Sequence, residues 1–379
     1  MDTATEQLKK NRAFLCLECG KCTAVCPISK VNNAYSPRRL LAEGLFYGAG
    51  DLASDRLLWS CLTCLLCSQR CPVDVKYSEY MRDVRAVAYS QGYFGNPSHG
   101  GALHHIMEMA ASPKLRQNRT DWITKDLKVK QKGEVLYFVG CLPYYEELFS
   151  KDFEYSPISI AVDTVKILNH LGIEPVVLDN ERCCGHDLYW LGQLDRFDQI
   201  AKLNLGEMEQ AGVKQVITSC PECAVALRRL YPERVGENGL DVRHISQVIS
   251  ENKSRLRLGR WDGEVSFQDP CRLGRFMQVY DEPREIMSLI EGLQLHEMAH
   301  NRRGAICCGT TNWINCDATC KQIQKGRLDE ARAAGAETLV TACPKCQIHF
   351  RCAQCGEESD KNGMKITDFV NIVASALKS

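Results

Sequence analysis

The 379-residue sequence has no charge imbalance: 47 Lys plus Arg stand against 47 Asp plus Glu. Without an excess of one sign there is no field to attract a nucleic-acid backbone or an anionic lipid surface, so no nucleic-acid partner is expected. No stretch approaches the ~20 apolar residues needed to cross a bilayer, so no transmembrane segment is expected. The first residues, MDTATEQLKKNR, are polar and lack the apolar core of a secretory signal. There is no G-x-G-x-x-G after a strand-like run and no G-x-x-x-x-G-K-[ST]. Flavin, nicotinamide and nucleotide binding are therefore unsupported in this chain. What the sequence has in excess is cysteine, 22 in all. Disulfide scaffolds rich in cysteine are small and secreted. A chain of this length with a polar start is better read as cytoplasmic, with most thiols serving as metal ligands. Any membrane association would be peripheral and through a partner. Such metal centres are oxygen-sensitive, which points to an anaerobic setting.

Eight of the cysteines form two runs of one spacing. Cys16, Cys19, Cys22 and Cys26 precede Pro27; Cys61, Cys64, Cys67 and Cys71 precede Pro72. C-x2-C-x2-C-x3-C-P is the spacing that holds two [4Fe–4S] cubanes in bacterial ferredoxins, where the fourth cysteine of each run serves the other cluster. Three thiolates from one turn of backbone face three corners of a cube, and the last corner is filled from the other run. Cys16, Cys19, Cys22 and Cys71 are thus assigned to one cubane, and Cys61, Cys64, Cys67 and Cys26 to the second. Structural zinc also takes Cys-x2-Cys pairs, but has no use for a third cysteine at x2 and a fourth before proline.

The fold class expected is α+β overall: an α-helical ferredoxin-like domain over residues 1–115, a linker over 116–132, and two duplicated α/β domains over 133–258 and 259–379. Ser36 and Pro37 read as the cap and first residue of a helical stretch reaching Trp59, and EYMRDVRAVAYSQG as a helix stopped at Gly92. The duplication is legible in the cysteines. In the first copy EVLYFVGC ends at Cys141, Cys183-Cys184-Gly185 follows, and KQVITSC reaches Cys220, Pro221 and Cys223. In the second, EVSFQDPC ends at Cys271, Cys307-Cys308-Gly309 follows, and ETLVTAC reaches Cys343, Pro344 and Cys346. The gaps are 41 and 35 residues in one copy and 35 and 34 in the other. Helical patterns fill them at 159–171, 195–211, 283–291 and 321–334, which predicts α/β units around parallel strands. Cysteines just past strand ends sit where such sheets place their ligands.

Each copy thus offers five cysteines, more than one tetrahedral zinc or one cubane takes. Adjacent cysteines do not easily aim both sulfurs at one small ion, but can serve two irons of an extended cluster. Gly185 and Gly309 permit a sharp turn, and Pro221 and Pro344 stiffen the second ligand loop.

This pattern, C…CCG…C-P-x-C twice, resembles the CCG domain of the heterodisulfide reductase catalytic subunit. PRRLLAEGLFYG and LWSCLTCLLCSQRCPVDV resemble that enzyme's small ferredoxin-like subunit, and the order of the two in one chain resembles the fused D subunit of membrane-linked heterodisulfide reductases. DPCRLGRFMQVYDEPREIM and ICCGTTNWINCDATCKQIQ…LVTACPKCQIHF carry the same resemblance, which covers nearly the whole chain. It implies an oxidoreductase subunit holding two cubanes and two noncubane [4Fe–4S] clusters, with no flavin or nucleotide of its own. One noncubane cluster would be held by Cys141, Cys183, Cys184, Cys220 and Cys223, the other by Cys271, Cys307, Cys308, Cys343 and Cys346. The resemblance further implies that the clusters face each other across a substrate cavity, with the double cysteines Cys183, Cys184, Cys307 and Cys308 as the catalytic positions where a disulfide or thiol substrate is split. Electrons would come from a flavoprotein resembling the A subunit of heterodisulfide reductase, or from other redox subunits of a larger complex. Iron–sulfur subunits of glycolate, lactate and glycerol-3-phosphate dehydrogenases, and of benzoyl-CoA reductase-type bifurcating complexes, share these modules, so a non-catalytic relay stands as the alternative. A zinc-stabilised scaffold is a third reading, which iron analysis decides. The sequence departs from the pattern in His186 after Gly185 and in Thr310-Thr311 after Gly309, bulkier residues that would reshape a cavity.

Four cysteines, Cys316, Cys320, Cys352 and Cys355, fall outside the pattern and read as free thiols, with a zinc site on Cys352-x2-Cys355 and Cys316 or Cys320 as the alternative. His104-His105 and the aromatic residues Tyr144, Tyr145 and Trp190 read as packing or surface groups; His186 and His349 lie near proposed ligands and are candidates for proton delivery. Lys114, Arg116, Arg119, Lys125, Lys128, Lys130 and Lys132 read as a solvated basic face.

Overall fold

The computed structural model describes residues 10–153, 155–355 and 363–378. The polar opening segment up to residue 9 lies outside the described residues. Three parallel strands carry the first copy of the duplication: β1 (Val135–Phe138), β2 (Gln215–Thr218) and β3 (Asp241–His244), in the order β1-β2-β3. Four carry the second: β4 (Arg260–Gln268), β5 (Glu291–Leu295), β6 (Thr338–Thr341) and β7 (Lys365–Asp368), in the order β5-β4-β6-β7. A parallel bridge between Leu136 and Val176 stands in the first copy where β5 stands in the second. The sheets are one design written twice.

The chain divides into two units. One runs to Met109 and takes in two later segments, Gly185–Phe197 and Ile306–Gln324; the other comprises Ala110–Cys184, Asp198–Ala305 and the chain from Lys325. Both sheets lie in the second unit. Its core is largely aliphatic. Tyr137 of β1, Ile217 of β2 and Val265 and Phe267 of β4 are joined there by residues of the helices Ser159–His170, Ile245–Glu251, Glu282–Ser288 and Phe369–Ser375. Among the described residues no helix is long and apolar enough to cross a membrane.

The four strands expected at β1, β2, β4 and β6 are present, as are the helices that fill the gaps. The helical stretch expected from Ser36 to Trp59 is not one helix. Ser36 caps Pro37–Phe46 by accepting the Arg39 N–H, but Gly48 at φ 94 ends it, and Ala49–Leu52 and a 3-10 turn, Arg56–Ser60, follow. The helix Tyr77–Ser90 does end just before Gly92, whose φ is 83.

Both sheets end in a strand that passes to a helix through a buried, titratable cap. His244 Nδ1 accepts the Ser246 N–H at 3.2 Å while Nε2 lies 3.3 Å from the Ser219 carbonyl, which places the ring proton on Nε2 and keeps the imidazole neutral. Burial lowers its pKa from 6.5 to about 4. At the equivalent place Asp368 accepts the Val370 N–H at 2.9 Å, and burial raises its pKa from 3.8 to about 8. These shifts change stability in opposite directions over overlapping pH ranges. The unfolded chain protonates His244 first, so its contribution is present above pH 6.5 and lost as the pH falls toward about 4, by a few kcal/mol. Asp368 keeps its proton in the fold where the unfolded chain has released it, so stability declines as pH rises from about 4 to about 8. Denaturant titrations across pH are expected to show stability falling throughout about 4 to 8 in His244→Asn, and rising from about 4 to 6.5 and then level in Asp368→Asn. A wild-type pH profile in both variants would refute the assignment.

Candidate functional site

The two ferredoxin-like runs fold alike. Glu18 and Thr63 hold the same step with φ 49 and 46, and Gly20 and Leu65 the next with φ 76 and 63. A leucine in the left-handed region costs about 1 kcal/mol, and the loop carries it in the second run where the first has glycine. The bend turns backbone N–H groups toward the thiols: Glu18 N–H donates to Cys16 Sγ and Thr63 N–H to Cys61 Sγ, both at 3.4 Å. Val75 N–H donates to Cys71 Sγ at 3.4 Å. Cys26 is the N-cap of Pro27–Val31, with proline at the first helical position as its fixed φ favours.

The thiols gather in two cavities of the first unit. Cys16, Cys19, Cys22 and Cys71 line one, together with Cys67; Cys26, Cys61, Cys64 and Cys67 line the other, with Tyr35 and Tyr77. Each cavity thus takes three cysteines of one run and the last of the other. The first opens at the surface, where Cys19 is exposed, whereas Cys26, Cys61 and Cys64 are buried. Burial pushes the Cys26 thiol up to about 12, and burial and neighbouring thiols push Cys67 well above its ordinary value. Thiols so crowded do not ionise by themselves, and a cation is what lowers them.

In the second unit the first five-cysteine set lies in one place. Cys141 falls just after β1 and Cys220 just after β2, adjacent parallel strands, so both thiols sit at the same sheet edge. Cys141 Sγ is 3.5 Å from Cys183 Sγ. Cys184 bonds both Cys183 and Cys223, and Cys223 bonds Cys220, so all five thiols form one continuous chain. Hydrogen bonds among these thiols, then burial, raise Cys141, Cys184 and Cys223 well above the usual thiol range. Five converging soft donors exceed a tetrahedral ion and fit a group with several irons.

Residues that the cysteine pattern does not reveal hold this set. Gly140 (φ 67) passes so close that a Cβ there would lie 2.8 Å from Cys223 Sγ. Its N–H donates to Glu181 Oε1 at 2.7 Å, and the Val139 N–H to Glu181 Oε2 at 3.0 Å. Burial raises Glu181 to about 7 against the pull of Arg119 and these two N–H groups. Arg119 donates to the Glu181 and Gly140 carbonyls and lies 4.8 Å from the Tyr144 ring. The expected solvated face is corrected at one residue: Lys114, Arg116, Lys125, Lys128, Lys130 and Lys132 are exposed, but Arg119 is buried and clamps the Cys141 loop to the extended segment that leads to Cys183. Asn204 completes the clamp, donating to the Cys183 carbonyl at 3.2 Å and accepting the Arg182 N–H at 2.8 Å. Only the E-R-C-C order hints at Glu181, and nothing local hints at Arg119 or Asn204.

The second set is divided between the units. Cys271 and Cys343 follow β4 and β6 at the same steps as Cys141 and Cys220 follow theirs, and Cys346 lies one turn into Pro344–Gln354, all in the second unit. The Cys271 loop is held by Asp269, which accepts both Arg284 Nη groups at 2.8 Å and the Arg302 N–H at 2.7 Å. Cys307 and Cys308 belong to the first unit and are buried. Gly309 there has φ 88, as Gly185 has φ 77, so both double cysteines turn on a left-handed glycine. A Cβ at Gly309 would stand 2.9 Å from the Cys320 carbonyl. Thr310 and Thr311 are buried, Thr310 accepting from Gln324 at 2.8 Å, and His186 Nδ1 lies 3.1 Å from Asp187 Oδ1. Tyr145 and Trp190 are core residues. His104 Nε2 bonds the Asn312 carbonyl at 2.8 Å, and His349 is buried. Outside the pattern, Cys320 donates to the Asn315 carbonyl at 2.9 Å and burial lifts it to about 12; Cys316 shares its unit, while Cys352 and Cys355 lie in the other.

Comparison with known proteins adds a second line of evidence. A 4Fe-4S dicluster domain matches residues 12–75, and a cysteine-rich domain, CCG, matches 135–228 and 265–351. The chain is 24% identical to the D subunit of dihydromethanophenazine:CoB–CoM heterodisulfide reductase from Methanosarcina barkeri, over 96% of this chain and 93% of that one. It is 26% identical to the B subunit of fumarate reductase (CoM/CoB) from Methanothermobacter marburgensis, over 94% of this chain and 70% of that one. A crystal structure of a hypothetical protein from Helicobacter pylori covers the whole chain and 77% of its own, with a TM-score of 0.59 at 11% identity, a likeness of fold alone.

Proposed function

We propose that this chain, a homologue of heterodisulfide reductase D subunits over 96% of its length, holds in its four cysteine constellations two cubane and two noncubane [4Fe–4S] clusters that serve the reduction of a disulfide within a larger complex. The chain is an iron–sulfur electron-transfer subunit of the oxidoreductase class, working among redox partners. When bound, the clusters supply one-electron steps, two of which a disulfide requires. What the chain's residues contribute is position. Cys16, Cys19, Cys22 and Cys71 offer an intake at the surface, and the buried Cys26, Cys61 and Cys64 with the half-buried Cys67 a second step, better sheltered from water and so from stray reactions. Arg119, Glu181 and Asn204 keep Cys141 and Cys183 in register, and the double cysteines Cys183-Cys184 and Cys307-Cys308 are the catalytic positions. A flavoprotein resembling the A subunit of heterodisulfide reductase is the proposed donor.

The observation that carries this reading is the unbroken chain of five thiols from Cys141 to Cys220 at one sheet edge. Anaerobically prepared protein is expected to contain about sixteen irons per chain, as four such clusters require. With reduced viologen and the coenzyme M–coenzyme B heterodisulfide, it is expected to release thiol. Full iron without thiol release would defeat the disulfide reading for that substrate. The alternative, a relay whose chemistry is done by another subunit, is favoured by one observation: a relative of similar likeness is named for fumarate reduction. Affinity capture under anaerobic conditions separates the two, since a relay would bring a second catalytic oxidoreductase with it.

A further inference from the structure

The duplicated C-P-x-C segments differ at x, and the difference is one of charge. Glu222 stands between Cys220 and Cys223, Lys345 between Cys343 and Cys346, and Lys345 Nζ lies 2.6 Å from Glu222 Oε2. Equivalent positions of the two copies are thus bonded to each other inside the second unit. The Lys345 side chain is 2% exposed and that of Glu222 13%, so water screens the pair little. The carboxylate is carried by the C-P-x-C loop of the first set, between Cys220 and Cys223, and the ammonium by that of the second, between Cys343 and Cys346.

The same polarity recurs at the first cysteine of each copy. Cys271 is followed by Arg272 and Arg275, both buried; the equivalent steps after Cys141 hold Leu142 and Tyr145. Arg272 lies over the Phe276 ring at 4.4 Å, and Arg275 donates to the Ala305 carbonyl at 2.5 Å, so both cations are held beside Cys271. Arg119 faces Glu181 in the first copy, and Arg284 faces Asp269 and Glu297 in the second. Arg182, next to Cys183, is a buried cation of the first copy, its guanidinium held by the carbonyls of Ala110, Ser112 and Leu115.

We propose that the Lys345–Glu222 pair sets the two CCG centres to different potentials, so that the centre of the second copy accepts an electron more readily than that of the first. This rests on the reading that both C-P-x-C segments ligate clusters. Reduction adds negative charge, which a nearby buried cation favours and a nearby buried anion opposes. The two residues are positioning residues: they act through the ligands and touch no substrate. The pair gives an order to two sites that the duplication would otherwise make alike, the first electron resting in the second copy.

Redox titration of the anaerobically prepared chain, followed by electron paramagnetic resonance, tests this, with iron measured on each sample. Cys141→Ser and Cys271→Ser each disable one centre and so identify the signals. The remaining centre is expected at higher potential in Cys141→Ser than in Cys271→Ser. Lys345→Gln is expected to lower the potential of the second-copy centre, and Glu222→Gln to raise that of the first. The decisive variant is the exchange Glu222→Lys with Lys345→Glu, which keeps the ion pair and its packing but reverses its direction, and is expected to bring the two potentials together or invert their order. A pair that only holds the loops together would leave the order unchanged in the exchange while lowering the melting temperature of the single variants, and that result overturns the proposal, as do coincident potentials in the two cysteine variants. Wild-type protein with iron for the cubanes alone would instead overturn the ligand reading beneath it.

Discussion

Gly140→Ala is expected to empty the first five-thiol set of metal while leaving the two ferredoxin-like runs loaded. Two independent costs fall on one methyl group. Gly140 has φ 67, a conformation that costs an alanine about 1 kcal/mol. The new Cβ would also stand 2.8 Å from Cys223 Sγ, closer than carbon and sulfur approach without bonding. A loop free to move could relieve the contact, but this one is fixed on both sides: its N–H is bound by Glu181 and its carbonyl by Arg119. The sulfur therefore moves, and Cys223 is the link between Cys184 and Cys220 in the thiol chain. Iron is expected to fall from about sixteen to about twelve per chain, the loss of one four-iron group. Circular dichroism should remain close to wild type, because overpacking of this size costs about 1–3 kcal/mol, not a fold. Cys141→Ser serves as the reference for loss of one ligand. A Gly140→Ala protein with full iron and wild-type spectra would show that the set is not tightened around a metal group at all.

Why this glycine matters could not be read from the sequence, and the reason is general to the molecule. Spacing within a short window reveals ligands, because three thiols within seven residues share a turn of backbone whatever the rest of the chain does. Duplication reveals strands, because EVLYF and EVSFQ or KQVIT and ETLVT repeat an apolar core beside a cysteine. Both signals were legible, and they place β1, β2, β4 and β6. β3 and β7 were not, because DVRH and KITD alternate over four residues with only two buried, too short to rise above the surrounding polarity. β5, in EGLQL, was not legible either: the helix expected over 283–291 overlaps only its first residue, whereas the helix ends at Ser288 and the chain turns through Gly292 at φ 85. Contacts that close the site span long separations: Arg119 reaches Glu181, and Lys345 reaches Glu222 across the whole second copy. A single sequence carries no signal for such pairs. In the case of Arg119, the surrounding lysines gave a misleading one, since charge runs are usually solvated and one member of this run is not.

Arg85→Met is expected to be the most damaging single substitution in the first unit. Arg85 is fully buried in Tyr77–Ser90, and its guanidinium satisfies three backbone carbonyls from two parts of the chain. It donates to Leu58 O at 3.1 Å, to Cys61 O at 2.8 Å and to Trp190 O at 3.1 Å. Asn312, with its amide oriented so that Oδ1 accepts, takes a fourth bond at 3.3 Å. The Cys61 loop, the segment after Cys183-Cys184 and the segment after Cys307-Cys308 thus share one cation. The packing beside it leaves no slack: a Cβ on Gly192 would meet the Ala86 backbone N at 2.4 Å. Methionine fills much of the same volume but donates nothing, so buried carbonyls lose their partners at about 1–3 kcal/mol each. A total of several kcal/mol matches the cost of removing one member from a buried charged network. The loss also bears on the thiols, because the positive charge of Arg85 is what opposes burial in setting Cys61, and without it that thiol is harder to ionise. Thermal unfolding is expected to move down by about 10 °C or more, at the few degrees per kcal/mol typical of domains this large. Loss of the resonance signal of the iron–sulfur group proposed at Cys26, Cys61, Cys64 and Cys67 should accompany it. Arg85→Lys keeps the charge but not the fork, and is expected to fall between the two. An Arg85→Met protein that melts with the wild type and keeps all its iron would remove Arg85 from the account of how the ferredoxin-like loops and the two later segments are held in one unit.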